Sequence, residues 1–139
     1  MQEATRAITL ESLLAEVARL KAEGWRFVTL TASELDAERL ELLYHFDREL
    51  RLQHLRAAVA KTAEVPSISP VFFAAALVEN EVQDLFGLRF TGLLLDFRGR
   101  LYLEEESPMP PFCRRGREAE APRGGGGSEA PGGESCATR

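Results

Sequence analysis

The chain has 139 residues, 45% of them hydrophobic, and a formal net charge of −5. That is about one ordinary domain with enough apolar material for one core, and its longest apolar run, Val71–Val78, is far shorter than the ~20 residues a membrane-spanning helix needs. The acidic balance argues against nucleic acid and against an anionic membrane surface, and Met1–Ala4 has neither the basic flank nor the apolar stretch of a secretory signal.

Leu10, Leu13, Leu14, Val17 and Leu20 recur at steps of three and four, the stripe of an amphipathic helix. Thr9 is placed to cap its start, Glu11 and Glu16 suit its first half, and Gly24 is placed to end it. Trp25–Thr31 is rich in aromatic and β-branched residues and reads as a strand, with a polar connection from Thr31 to Asp36. Leu40, Leu42, Tyr44 and Phe46 then alternate with Glu41, Leu43, His45 and Asp47, as in a strand with one buried face. Asp47-Arg48-Glu49 is the expected turn. Alternation restarts at Leu50 and Leu52 and slips to Leu55, Ala57 and Val59. A β-bulge near Gln53-His54 would absorb the slip; a helix from His54 to Thr62 is the competing reading.

Pro66 and Pro70 bracket Ser67-Ile68-Ser69. With Ser69 as cap and Pro70 in the first turn, a helix is expected from Val71 to about Phe86, ended by Gly87 in a left-handed conformation. Arg89-Phe90 and then Leu93–Leu103 are expected to form a final strand or hairpin turning at Arg98-Gly99. From Cys113 to Arg139 the chain holds seven of its 11 glycines and no Leu, Ile or Val, so nothing there can offset the entropy of ordering. The expectation is an α+β domain over residues 1–112, a small mostly antiparallel sheet packed with two main helices, followed by a disordered tail over 113–139. The tail's net charge of +1 leaves −6 on the domain.

Few residues offer chemistry. Cys113 and Cys136 lie in the tail without a CxxC partner and read as free thiols, unable to build a four-ligand metal site. His45 and His54 are the only histidines; a metal would need them to meet beside a carboxylate, and a solvated or interface role suits them better. Gly124–Gly127 lies in no strand–helix context and is not a phosphate loop. Trp25, Phe72 and Phe73 read as core. Glu79, Glu81 and Asp84 fall in the last turns of a helix, where negative charge is unfavourable by ~0.3–1 kcal/mol each. They need compensation, from Arg89 or from arginines of a partner protein. Structural or interface pairing suits them better than solvated surface charge, and either better than catalysis, so no catalytic, cofactor-binding or metal-binding residue is assigned.

The stretch Ser67–Phe90, SISPVFFAAALVENEVQDLFGLRF, resembles the signature of the 30-kDa subunit family of respiratory complex I. There a Pro-Ser element leads into a helix ending in Glu-x-Glu, an acidic residue, a hydrophobic pair and Gly. Glu79, Glu81, Asp84, Leu85-Phe86 and Gly87 fill those positions, with Arg89 just beyond. Leu42–Asp47 and Leu50–Leu52 resemble the strands that precede it, and the likeness runs over about residues 8–103. Two departures stand out. Asn80 replaces the Arg usual between the two Glu. The ending Thr91–Phe97 lacks the Gly-His-Pro of the complex I branch and is more similar to the small subunit of energy-converting nickel–iron hydrogenases.

The resemblance implies a non-catalytic accessory subunit of an oxidoreductase complex, of either the NADH:quinone or the energy-converting hydrogenase type. Such a subunit would hold no cofactor of its own. It would dock on the large catalytic subunit and beside an iron–sulfur subunit, with the iron–sulfur, nickel–iron or quinone sites in those partners. It would support electron transfer coupled to ion translocation from the cytoplasmic face of the membrane, without inserting. On this reading Glu79, Glu81, Asp84, Phe86, Gly87 and Arg89 form the family motif and partner interface. A free-standing binding or regulatory module sharing the fold is the alternative.

Overall fold

A computed structural model describes residues 3–104, 106 and 111–112. The expected disordered tail and both cysteines lie outside these residues. The order is β1 (Glu3–Ala7), α1 (Leu10–Ala22), β2 (Arg26–Glu34), β3 (Arg39–Arg48), β4 (Arg51–Ala60), β5 (Glu64–Pro66), α2 (Ala75–Phe86) and β6 (Arg89–Thr91). The fold is α+β, with two helices and a mostly antiparallel four-stranded sheet of order β1-β4-β3-β2. Within that sheet only β1 runs parallel, along the edge of β4.

Alternation builds the core. Leu40, Leu42, Tyr44 and Phe46 of β3 are fully buried on one sheet face, beside Leu55, Ala57 and Val59 of β4. Leu13, Val17 and Leu20 of α1 and Ala75 and Val82 of α2 close over them. Thr9 caps α1 as expected, in a reciprocal capping box with Ser12. Gly24 follows the helix in the left-handed region, at φ +82°.

Five expectations about the elements are corrected. Residues Thr31–Glu34 extend β2 rather than connecting it, because Leu30 and Ala32 keep the inward phase. The hairpin turn falls at Glu49-Leu50, with Arg48 paired to Arg51. Both turn residues are left-handed, at φ 50° and 62°, the two-residue geometry that matches strand twist. Neither a bulge nor a helix interrupts β4, whose pairing with β3 is unbroken from Arg51 to Ala60. The irregularity lies in β2, between Phe27 and Thr29.

Finally, α2 starts at Ala75 rather than Val71, and Ser69 does not cap it. Residues 68–76 wind in tighter turns, with the Val71 amide on the Ile68 carbonyl and the Ala75 amide on the Phe72 carbonyl. Gly87 ends α2 as expected, at φ +69°. No final hairpin forms among the described residues. Arg89–Thr91 instead pairs parallel with β5, and only the turn at Arg98-Gly99 appears, with both residues at positive φ. Residues 93–104 run as irregular chain beside α2.

Candidate functional site

The irregular 93–104 segment cannot satisfy its own backbone, so its polar groups need outside partners. They find them on α2. Asn80, Gln83 and Asp84 stand three and four residues apart and therefore share a helix face. Asn80 Nδ2 donates to the Leu95 carbonyl at 2.7 Å, and Asn80 Oδ1 accepts from the Phe97 amide at 2.8 Å. Gln83 donates to Asp96 at 3.1 Å and accepts from the Phe90 amide at 3.1 Å. Asp84 Oδ2 accepts from the Tyr102 amide at 2.6 Å. The three side chains act as a clamp on passing backbone.

A second buried cluster braces the clamp from the other side. The Leu94 amide donates to Ser69 Oγ at 3.1 Å, Ser69 Oγ and Ser67 Oγ stand 2.7 Å apart, and the Ser67 hydroxyl donates to Glu79 Oε2 at 2.5 Å. Glu79 Oε1 accepts from the Ile68 amide at 2.8 Å. Glu79 is fully buried, and burial pushes its carboxyl up to about 7, against the opposing pull of the Ser67 and Ile68 bonds. The nearby Tyr44 hydroxyl is also pushed up, by burial first and the Glu79 charge second. Among the described residues, Tyr44 Oη and Asp84 Oδ1 are buried without a hydrogen-bond partner.

The family-motif residues thus divide. Glu79 and Asp84 turn inward onto the chain's own backbone, and Glu81 is half-buried on the helix. The ring of Phe86 packs near that of Phe112, 5.7 Å between centroids. Gly87 donates its amide to the Gln83 carbonyl at 2.9 Å. Arg89 does not compensate the acids of α2; it lies outside, 3.6 Å from Glu64. The Ser67 and Ile68 groups and the Tyr102 amide do that work instead. Sequence reasoning missed Ser67, Asn80 and Gln83 as functional residues. The available signal was polar side chains at one helix face ahead of a segment with no periodicity.

On the sheet face opposite the β3 core residues the structure joins the two histidines, His54 buried and His45 half-buried. His45 and His54 face each other across β3 and β4, Nδ1 to Nδ1 at 2.8 Å, and His45 Nε2 reaches the Thr31 hydroxyl at 2.9 Å. Among the described residues no group of three His, Cys, Asp or Glu side chains stands close enough to hold a metal ion, and no helix is long and apolar enough to cross a membrane.

The family of the respiratory-chain NADH dehydrogenase 30 Kd subunit matches residues 7–116. The chain belongs to this family. Its 30-kDa-family relatives include an NADH-quinone oxidoreductase subunit of Rhodobacter capsulatus, 41% identical over 76 residues, covering 50% of this chain and 38% of the relative. The corresponding protein of Rhodopseudomonas palustris (strain TIE-1) is 36% identical over 88 residues, covering 57% and 43%. The chain thus matches about two fifths of the length of these curated relatives. A chain in the structure of the membrane-bound sulfane sulfur reductase, an archaeal respiratory membrane complex, shares the fold with a TM-score of 0.70. It is 19% identical, and the match covers 80% of this chain and 69% of that one.

Proposed function

We propose that this 30-kDa-family chain is a subunit without a redox centre of its own, seated on the large catalytic subunit of a membrane-associated respiratory complex. It would stand beside an iron–sulfur subunit and support electron transfer coupled to ion translocation from the cytoplasmic face. The observation that carries this reading is the family match over residues 7–116, backed by relatives that are NADH-quinone oxidoreductase subunits. The buried polar groups of α2 fit it too, because they hold backbone rather than stand open for chemistry. A second reading, the energy-converting hydrogenase branch, is favoured by the short ending Thr91–Phe97.

Co-expression with a candidate large subunit is the test. Stoichiometric co-purification is expected, with iron, nickel or quinone found only when the partners are present. The metal content of the purified complex then separates the two branches. A chain that stays alone in the presence of its large subunit would be a free-standing module sharing the fold.

A further inference from the structure

We propose that the cleft between the end of α2 and the 93–104 segment is the partner grip, and that it takes an acidic, apolar-flanked segment of the large subunit. This rests on the subunit reading above and adds the chemistry of the contact. The cleft measures about 460 Å³ and is lined by Gln83, Arg89, Phe90, Asp96 and Arg98, with Gly87 and Gly99 at its turns.

Charge is the first argument. Residues 1–112 carry −6, yet this cleft presents two arginines. The Arg89 side chain is 80% exposed and only 3.6 Å from a likewise exposed Glu64, a pairing of little strength in water. The acid in the cleft, Asp96, has Oδ1 engaged by the Gln83 amide group at 3.1 Å and the Arg98 backbone amide at 2.7 Å. The cleft lining thus carries two guanidinium groups against one carboxylate on an otherwise acidic body, and the guanidinium groups are complementary to carboxylates.

Preorganisation is the second. Asn80, Gln83, Asp84 and Ser69 hold the segment's backbone, while the side chains of Leu94, Leu95, Phe97 and Tyr102 stand exposed. A chain that fixes irregular backbone with buried polar groups and leaves leucine and aromatic side chains in water holds a shaped apolar surface ready, which lowers the ordering cost of association. A carboxylate-bearing segment with apolar neighbours matches both features at once.

The experiment uses the full chain and its large subunit, with affinity measured at several salt concentrations. Arg89→Glu with Arg98→Glu should weaken binding by about tenfold or more and flatten its salt dependence, since paired charges at a contact govern both. The variant should melt with the wild type, because both arginines are exposed. Arg51→Glu, a charge reversal of half that size at the start of β4, should bind as wild type. If the cleft variant binds as tightly as wild type, the grip is overturned while the subunit reading stands. An equal loss for Arg51→Glu shows a general charge effect and also overturns it. If the wild type itself does not bind, both fall. A wild-type dimer that the cleft variant dissolves would show the cleft taking a second copy, and would overturn the acidic partner.

Discussion

The β2–β4 meander and the 93–104 segment are held in opposite ways. The meander satisfies its backbone by itself, strand to strand from Arg48–Arg51 out to Arg39–Ala60, and its side chains are left to make the core. The segment makes no ladder; beside its own turn bonds at Arg98 and Arg100, side chains from α2 and Ser69 hold it. In the first region side chains set hydrophobic stability and the backbone looks after itself. In the second, single polar side chains set the path of the chain. Damage should therefore be global in one region and local in the other.

The largest expected effect is in the meander. Leu42→Ala removes a fully buried side chain and should cost about 2–5 kcal/mol. Denaturant unfolding should remain one transition, shifted to lower denaturant for every probe. A loss seen only by probes in the 93–104 segment would break the contrast.

The Glu79 brace should show as a pH dependence. Its folded carboxyl titrates at about 7, above the ordinary 4.5, so the folded state binds the proton more tightly. The resulting stability is fully present below pH 4.5, falls as pH rises through this window, and is lost above about 7. The window spans about 3 kcal/mol at most. Glu79→Gln should remove this decline, read as melting temperature against pH. Parallel curves for variant and wild type would refute it.

Asn80→Ala should cost about 1–3 kcal/mol by leaving the Leu95 carbonyl and Phe97 amide without their partner. Amide exchange should quicken at Phe97 and its neighbours, while the amides of β3 keep their protection. Uniform quickening would mean that the clamp and the meander open together. The smallest effect is a gain: Glu49-Leu50→Asn-Gly suits the two left-handed turn residues and should stabilise by about 1 kcal/mol. A lowered melting temperature would contradict the turn geometry.

The same contrast decides what could be read from the amino acids. Helix α1, its Thr9 cap, the inward residues of β3 and the Gly87 stop were legible, because each follows from a local pattern of apolar spacing or backbone freedom. Strand β1 was not, since Glu3–Ala7 carries no apolar alternation and is placed by its pairing with β4. The supposed bulge at Gln53-His54 was a change of buried face. Leu52 is half-buried and His54 buried on the second side of the sheet, so apolar phase and strand phase part without any break. The clamp was half legible: the motif marked Glu79 and Asp84, but nothing local says that a carboxylate will meet the amide of a residue some eighteen positions on. Asn80 stood out only as a departure from the family, and its reach to Leu95 and Phe97 depends on tertiary folding.

The facing histidines make one further point, about unequal twins. Two identical rings approach through the same atom, Nδ1, at 2.8 Å. In the neutral pair one nitrogen must carry the hydrogen and the other must be bare. Symmetry in composition thus becomes asymmetry in tautomer. The choice propagates to Thr31: if His45 gives its Nδ1 hydrogen to His54, its Nε2 is bare and the threonine hydroxyl points toward it. If His54 is the giver, His45 Nε2 carries the hydrogen and Thr31 turns acceptor. Three side chains on three neighbouring strands therefore share a single binary state, and ring-nitrogen resonances of the two histidines should be as distinct as those of two different residues.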